Sequence, residues 1–148
     1  MTKQQLLQPT YQKSYQKDFE GWSQAIPLIN QQESPQFEVK EIWWCNIGVN
    51  IGTEADGNKP NNDISYFYTR PVLILKKLSN NSFIALPMSK KIKQGSWYYP
   101  IQIQSNSSNL LFHQIRSFDA RRLTSKIARI SDEQLQIIKN VFTNFILD

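Results

Sequence analysis

The sequence predicts a mainly β fold with some α: a small barrel or strongly bent antiparallel sheet, a helix at its C-terminal end and a shorter helix before it. Three observations carry this. At least five apolar, strand-length runs follow one another after residue 40, with short polar turns between them and few helical interruptions. After this run of strands the apolar pattern switches to a helical period beyond Ser131. And 148 residues are enough for one domain with a real core, too few for two.

Taken in order, residues 1–16 are rich in Gln with little periodicity and read as a mobile tail. Phe19, Trp22, Ile26 and Ile29 recur at helical spacing, which predicts a short amphipathic helix laying Phe19 and Trp22 on the outside of the main domain. Gly21 weakens that helix, and Pro27, which lacks a backbone donor, is expected to kink or break it. Gln31–Gln36, with Pro35, reads as a linker. The expected division is therefore a tail and short helix over 1–37 and a barrel domain over 38–148.

The run EIWWCNI from Glu41 is large and apolar on both sides, as in a strand at the centre of a covered sheet. Gly48, Gly52 and Gly57 punctuate a long polar loop read as flexible. Thr69-Arg70-Pro71 opens the next run, and the proline biases the residue before it to extended geometry, placing a cation at the loop's exit. RPVLILKKL and FIALPM around Ser79–Ser82 signal a hairpin. WYYPIQIQ alternates Tyr99, Ile101 and Ile103 against Gln102 and Gln104, a half-buried strand. Ser105–Asn109 reads as a turn, LLFHQIRSF as a further strand, and Asp119–Lys126 as a short helical turn. Ser131–Gln134 forms a capping box with Ile130 and Leu135 at the staple positions. Leu135, Ile138, Phe142, Phe145 and Ile146 then make one apolar stripe.

Composition narrows the function. The single Cys45 excludes an intramolecular disulfide and a cysteine metal cluster. No apolar run reaches the ~18 residues of a membrane span, and the N-terminus lacks the apolar core of a signal peptide, so a cytoplasmic protein is expected. The net charge is +5; between Arg70 and Ile130 there are eleven basic residues against one acid, Asp119. Such a bias suggests a polyanionic partner, or a solvated basic surface. One histidine, His113, rules out a two-imidazole scheme within one chain, and neither a Walker loop, a GxSxG nor an HExxH is present. The remaining kit of Arg, hydroxyl, carboxylate and amide suits phosphodiester cleavage by a neighbouring 2′-OH, where the substrate supplies the nucleophile.

Four segments in order add a resemblance. Gly52–Gly57 is similar to a G-x-E-x-x-G loop, Arg70-Pro71-Val72 to an R-P-V strand, and Pro87-Met88-Ser89-Lys90 to a P-[IVL]-[TS]-[ST] strand end. Gln114–Asp119 is similar to Q-[IVP]-R-[TS]-[IF]-D, followed by Arg122-Leu123. Over residues 40–147 the chain resembles the MazF/PemK family of toxins from type II toxin–antitoxin systems, and within it a subgroup with an N-terminal helical extension. The resemblance implies an SH3-like barrel and a homodimer with composite basic grooves. It also implies a cytoplasmic, metal-independent, sequence-selective endoribonuclease for single-stranded RNA, with no cofactor, inhibited by a cognate antitoxin whose acidic tail fills the grooves. Arg70 would stabilise the phosphorane-like transition state, and Ser89 would hydrogen-bond the scissile phosphate or the 2′-OH. Thr53, Glu54, Lys90, Lys91, Gln114 and Arg116 would bind substrate.

Other readings stay open. Arg70 would otherwise pair with Glu54 or Asp56 across the loop. His113 is either a general acid or base, or a satisfied structural side chain. Tyr66, Phe67 and Tyr68 either stack RNA bases or pack into the barrel or a dimer interface. The rival for the whole chain is a non-catalytic binding protein on the same fold, as in the gyrase-poisoning CcdB toxins.

Overall fold

The sheet is assembled around β1 (Glu41–Asn46), which pairs antiparallel with β2 (Thr69–Ser79) on one edge and β7 (Leu123–Arg129) on the other. The computed structural model describes residues 15–59, 67–91 and 93–148; Tyr66 and the first fourteen residues of the expected tail lie outside these. β2 and β3 (Ser82–Ser89) form the expected hairpin, turning at Asn80-Asn81 between paired Ser79 and Ser82. The other edge of β3 then divides. Ser82–Ala85 pairs with β6 (Arg116–Asp119), while Met88 and Ser89 pair with β5 (Asn106–Leu111), which carries β4 (Tyr98–Ile103). The ladder runs β4-β5-β3-β2-β1-β7 with β6 beside β3, a seven-stranded antiparallel sheet whose path is open rather than closed into a barrel.

Period-two alternation explains how the sheet covers both faces. Trp43, Cys45, Val72, Ile74, Phe83 and Phe118 pack one core with Phe37. Ile42, Leu73, Leu75, Leu86, Leu110 and Phe112 pack the other, closed by α2 (Asp132–Leu147) through Leu135 and Ile138. Ser131 caps that helix by accepting from the Gln134 N–H at 3.1 Å. α1 (Phe19–Asn30) lies against the chain that leaves β1, where Trp22, Ala25 and Ile29 meet Val49 and Tyr68.

Several expectations are corrected. α1 runs through Pro27 unbroken, because Pro27 and Ser23, whose carbonyl loses its partner, both face solvent. Its packed face is Trp22, Ala25 and Ile29, leaving Phe19 and Ile26 exposed. Ile146 is likewise exposed, whereas its neighbour Phe145 packs against Phe112. The run LLFHQIRSF is not one strand: a 3-10 turn at Phe112–Gln114 separates β5 from β6 and moves the chain to a different stretch of β3. The turn placed at Ser105–Asn109 is only Gln104-Ser105, with Gln104 at φ +57°, and β5 begins at Asn106. Asp119–Lys126 holds a 3-10 turn only over Ala120–Arg122; Asp119 ends β6, and Leu123 onward is β7, a strand whose half-buried, mixed residues give no clean alternation.

The polar loop after β1 is drawn tight at Gly57, whose N–H donates to the Gly48 carbonyl at 2.8 Å. A Cβ on Gly57 would lie 1.8 Å from the Tyr68 carbonyl oxygen, whereas one on Gly52 (φ +55°) would meet nothing within 4 Å. Gly57→Ala is therefore expected to cost on the order of 2–3 kcal/mol in urea unfolding, since backbone must move. Gly52→Ala should cost only about 1 kcal/mol, for its left-handed conformation. Equal losses would show that the close approach is not what fixes this loop.

Candidate functional site

β2 enters the sheet at Thr69, and Arg70 stands opposite Cys45 of β1. Counting back from the pairing of Val72 with Pro87 brings Arg70 level with Ser89, the last residue of β3. The guanidinium is fixed by two main-chain acceptors: Nε donates to the Asp56 carbonyl at 2.7 Å and Nη1 to the Met88 carbonyl at 3.0 Å. Nη2 has no hydrogen-bond partner among the described residues. Burial pulls the Arg70 pKa down, opposed by the nearby Asp56 and Tyr15, and the group remains a cation. The pairing of Arg70 with an acidic side chain is not what is found. The Asp56 carboxylate accepts from the Asn50 N–H at 2.6 Å and pairs with Lys17 at 3.2 Å, and Glu54 accepts from the Ile51 N–H.

Arg70 opens onto a cleft of about 780 Å³. Its walls are the loop Thr53–Asn58, the end of β3 with Ser89, Lys90, Lys91 and Lys93, and the turn bearing His113 and Gln114. The Ser89 hydroxyl oxygen accepts from the Lys91 N–H at 3.2 Å, which keeps its O–H available to donate. Buried Asn109 donates to the Lys91 carbonyl at 2.9 Å and pins the start of the lysine loop. Eight of the nine residues expected from the sequence thus share one cleft: Thr53, Glu54, Arg70, Ser89, Lys90, Lys91, His113 and Gln114. The ninth, Arg116, does not line it; its guanidinium lies over the Phe118 ring at 4.4 Å.

The loop is held rather than flexible. Gln114 accepts from the Ala55 N–H at 2.8 Å and donates to the Thr53 carbonyl at 2.9 Å, so its whole amide is engaged with the loop. Asn50 donates to the Ala55 carbonyl at 2.7 Å. The Gly52–Gly57 and Gln114–Asp119 segments therefore meet through one amide. Phe67 and Tyr68 pack rather than stack outward: Tyr68 is buried, touches Trp22 and Phe67 edge-on, and donates its hydroxyl to Asp18 at 2.6 Å.

His113 is exposed at the cleft, with its ring 5.0 Å from Trp97 and 5.5 Å from Tyr98. Partial desolvation, together with Lys93, lowers its pKa, against a hydrogen bond to the Trp97 backbone that raises it. The imidazole is thus neutral at neutral pH. Cys45 is fully buried, and burial pushes its thiol up to about 12, so it offers no nucleophile. Among the described residues, no three of His, Cys, Asp and Glu converge to hold a metal ion, and no helix is long and apolar enough to cross a membrane. Tyr15 and Lys17, which sequence reasoning assigned to the tail or left aside, belong to the site: Tyr15 lines the cleft and Lys17 bonds its loop. Only Asp18, an acceptor just ahead of a helix, carried a readable signal there, as its N-cap.

Residues 38–146 match the family model of the PemK-like, MazF-like toxins of type II toxin–antitoxin systems. The chain belongs to this family. The structure is similar to that of MazF from Deinococcus radiodurans, with a TM-score of 0.55 and 17% identity, over 78% of this chain and 99% of that one. It is also similar to an endoribonuclease in complex with its cognate antitoxin from a mycobacterial species, at a TM-score of 0.50 and 11% identity, over 76% and 94% of the two chains. Comparison with curated proteins gives no match. At these identities the solved structures establish a shared MazF-type fold. The family match gives the cleft its context: it lies where the PemK/MazF-like motif segments of this chain converge.

His113 yields a test that does not depend on any activity. Its folded pKa is below the ordinary 6.5, so its stabilising contribution is whole above that value and is lost as pH falls through the lower folded value. Urea unfolding from pH 7.5 to 5 should show wild type losing more stability than His113→Gln. Parallel profiles would mean that the imidazole environment is not desolvated.

Proposed function

We propose that this chain is a metal-independent, sequence-selective endoribonuclease that cleaves single-stranded RNA, and that a cognate antitoxin restrains it. One observation carries the reading. A guanidinium fixed by two carbonyls, with one amino group uncommitted among the described residues, stands level with a serine hydroxyl in a cleft edged by three lysines. In the proposed step the ribose 2′-oxygen attacks the adjacent phosphorus and the bond to the 5′-oxygen breaks. The 2′-proton is lost and the departing oxygen takes one up, leaving a 2′,3′-cyclic phosphate and a 5′-hydroxyl. Arg70 meets the charge that builds on the non-bridging oxygens, and Ser89 donates to the same phosphate. Lys90 and Lys91 attract the strand. Thr53 and Glu54, on the wall held by Gln114, meet the bases. His113, neutral and beside the cleft, is suited to accept the 2′-proton.

The partner readings follow from the same surface. An acidic antitoxin segment would compete with RNA for the lysines and Arg70, and a homodimer would double the cleft. The 38–148 segment is read as the toxin domain and 1–37 as its extension.

The mechanism is tested with RNA carrying one 2′-deoxy nucleotide on the 5′ side of the cut. Cleavage there should vanish while neighbouring sites persist, and EDTA should leave the rate unchanged. Undiminished cleavage at the deoxy position would overturn attack by the 2′-oxygen. Arg70→Ala should lower kcat on the order of a hundredfold or more with the fold intact, and Ser89→Ala should do less, since a neutral hydroxyl contributes less than a charged fork. Full toxicity in both variants would instead favour a non-catalytic binding protein.

A further inference from the structure

The Arg70 guanidinium takes one of its two acceptors from a loop that the N-terminal segment holds in place. Lys17 Nζ donates to the Asn50 carbonyl at 2.5 Å and to the Gly52 carbonyl at 2.9 Å, and pairs with the Asp56 carboxylate at 3.2 Å. Asp56 thereby faces two ways. Its side chain is fixed by Lys17 and the Asn50 N–H, and its carbonyl oxygen receives Arg70 Nε. Lys17 and Asp56 are mostly buried, with side chains 18% and 10% exposed, so water competes weakly for these bonds. The adjoining residues strengthen the anchor. Asp18 accepts from the Tyr68 hydroxyl at 2.6 Å and from the Gly21 N–H at 3.0 Å, and Tyr15 reaches the same Asp56 carboxylate while lining the cleft.

We infer that Lys17 is a positioning residue for Arg70: through Asp56 it sets the guanidinium in the orientation that the reaction needs, so that the N-terminal extension is part of the active site. Gln114 holds the same loop from the opposite side, at Thr53 and Ala55. With Lys17 removed, Asn50, Gly52 and Asp56 lose their common donor, and the loop keeps the Gln114 bonds and its own closures at Asn50 and Gly57. The Asp56 carbonyl is then less firmly directed, since its carboxylate keeps the Asn50 N–H and Tyr15 but loses the ammonium. Displacements of about an ångström at a reacting group cost up to a hundredfold in rate. This inference rests on the endoribonuclease reading for its kinetic consequence, and on the hydrogen bonds alone for its structural one.

The experiment compares Lys17→Met, Lys17→Arg and Lys77→Met in the full chain. Lys77 makes a clamp of similar span away from the cleft, donating to the Phe37 carbonyl at 3.0 Å and pairing with Glu38. Two readouts are taken: kcat and KM on RNA, and the solvent exchange of the Arg70 Nε–H by nitrogen–proton NMR. Lys17→Met should lower kcat on the order of tenfold to a hundredfold with little change in KM, and should speed exchange at Arg70. Lys17→Arg, whose fork can reach the carbonyls and the carboxylate together, should restore both. Lys77→Met should change neither, whatever its effect on unfolding. The inference is overturned if folded Lys17→Met keeps the wild-type exchange rate at Arg70, or if Lys77→Met speeds that exchange as much. If wild type does not cleave RNA, the function proposed above fails, and the exchange measurement still decides the role of Lys17.

Discussion

The direction of one guanidinium depends on two main-chain carbonyls that belong to different parts of the chain. Met88 lies near the end of β3, where it pairs with Leu110 of β5, and Asp56 lies in a loop without regular structure. A charge sited this way has lost much of its water, which burial makes costly, and recovers hydrogen bonds that cannot move away. The acceptors are neutral carbonyls and not a carboxylate, and on the proposed function that matters for the chemistry. A salt-bridged arginine would present little uncompensated charge to a phosphate. One held by dipoles keeps almost all of it.

The loop can serve as a fixed wall only because its polar groups are satisfied from outside it. Lys17, Gln114 and Arg70 engage its carbonyls, while Asn50 and Asp56 close it on itself. Gly57 lets it pass against Tyr68 where a side chain would collide. The fold is thus consistent around the site at several levels, from the sheet register to the amide of Gln114.

Much of this was legible in the chain. Mostly apolar β1, the Asn80-Asn81 hairpin and the capped α2 rest on local patterns, and the structure keeps all three. The expected site residues other than Arg116 gather in one cleft because β2 starts where β3 ends. What escaped the sequence is set by long-range pairing. β7 has no clean alternation because it is an outer strand, with Lys126 carried across to buried Glu41 at 3.2 Å. There, burial would raise the Glu41 pKa, but hydrogen bonds from Trp43, Glu38 and Lys126 outweigh it, and the carboxylate lies below its usual range. Nothing local announces that Lys17 bonds a loop more than thirty residues away. A glycine-punctuated polar loop looks flexible until its outside partners are known.

The excess of positive charge also means less, and more, than its total. Of the eleven basic residues between Arg70 and Ile130, several serve the fold. Arg121 holds Asp119 and Asn30, Arg122 the Asn46 carbonyl, Lys126 Glu41, and Lys77 the Phe37 carbonyl and Glu38. Lys90, Lys91 and Lys93 are different: they line the cleft, and among the described residues no ion pair holds them. Their charge is hydrated and borne on flexible stems, suited to gathering a phosphate chain without fixing its register. Arg70 is the opposite case, partly desolvated and oriented by two carbonyls, suited to one phosphate in one geometry. On the proposed function the cleft separates attraction from reaction by side-chain type, and only the second depends on the loop that Lys17 and Gln114 hold.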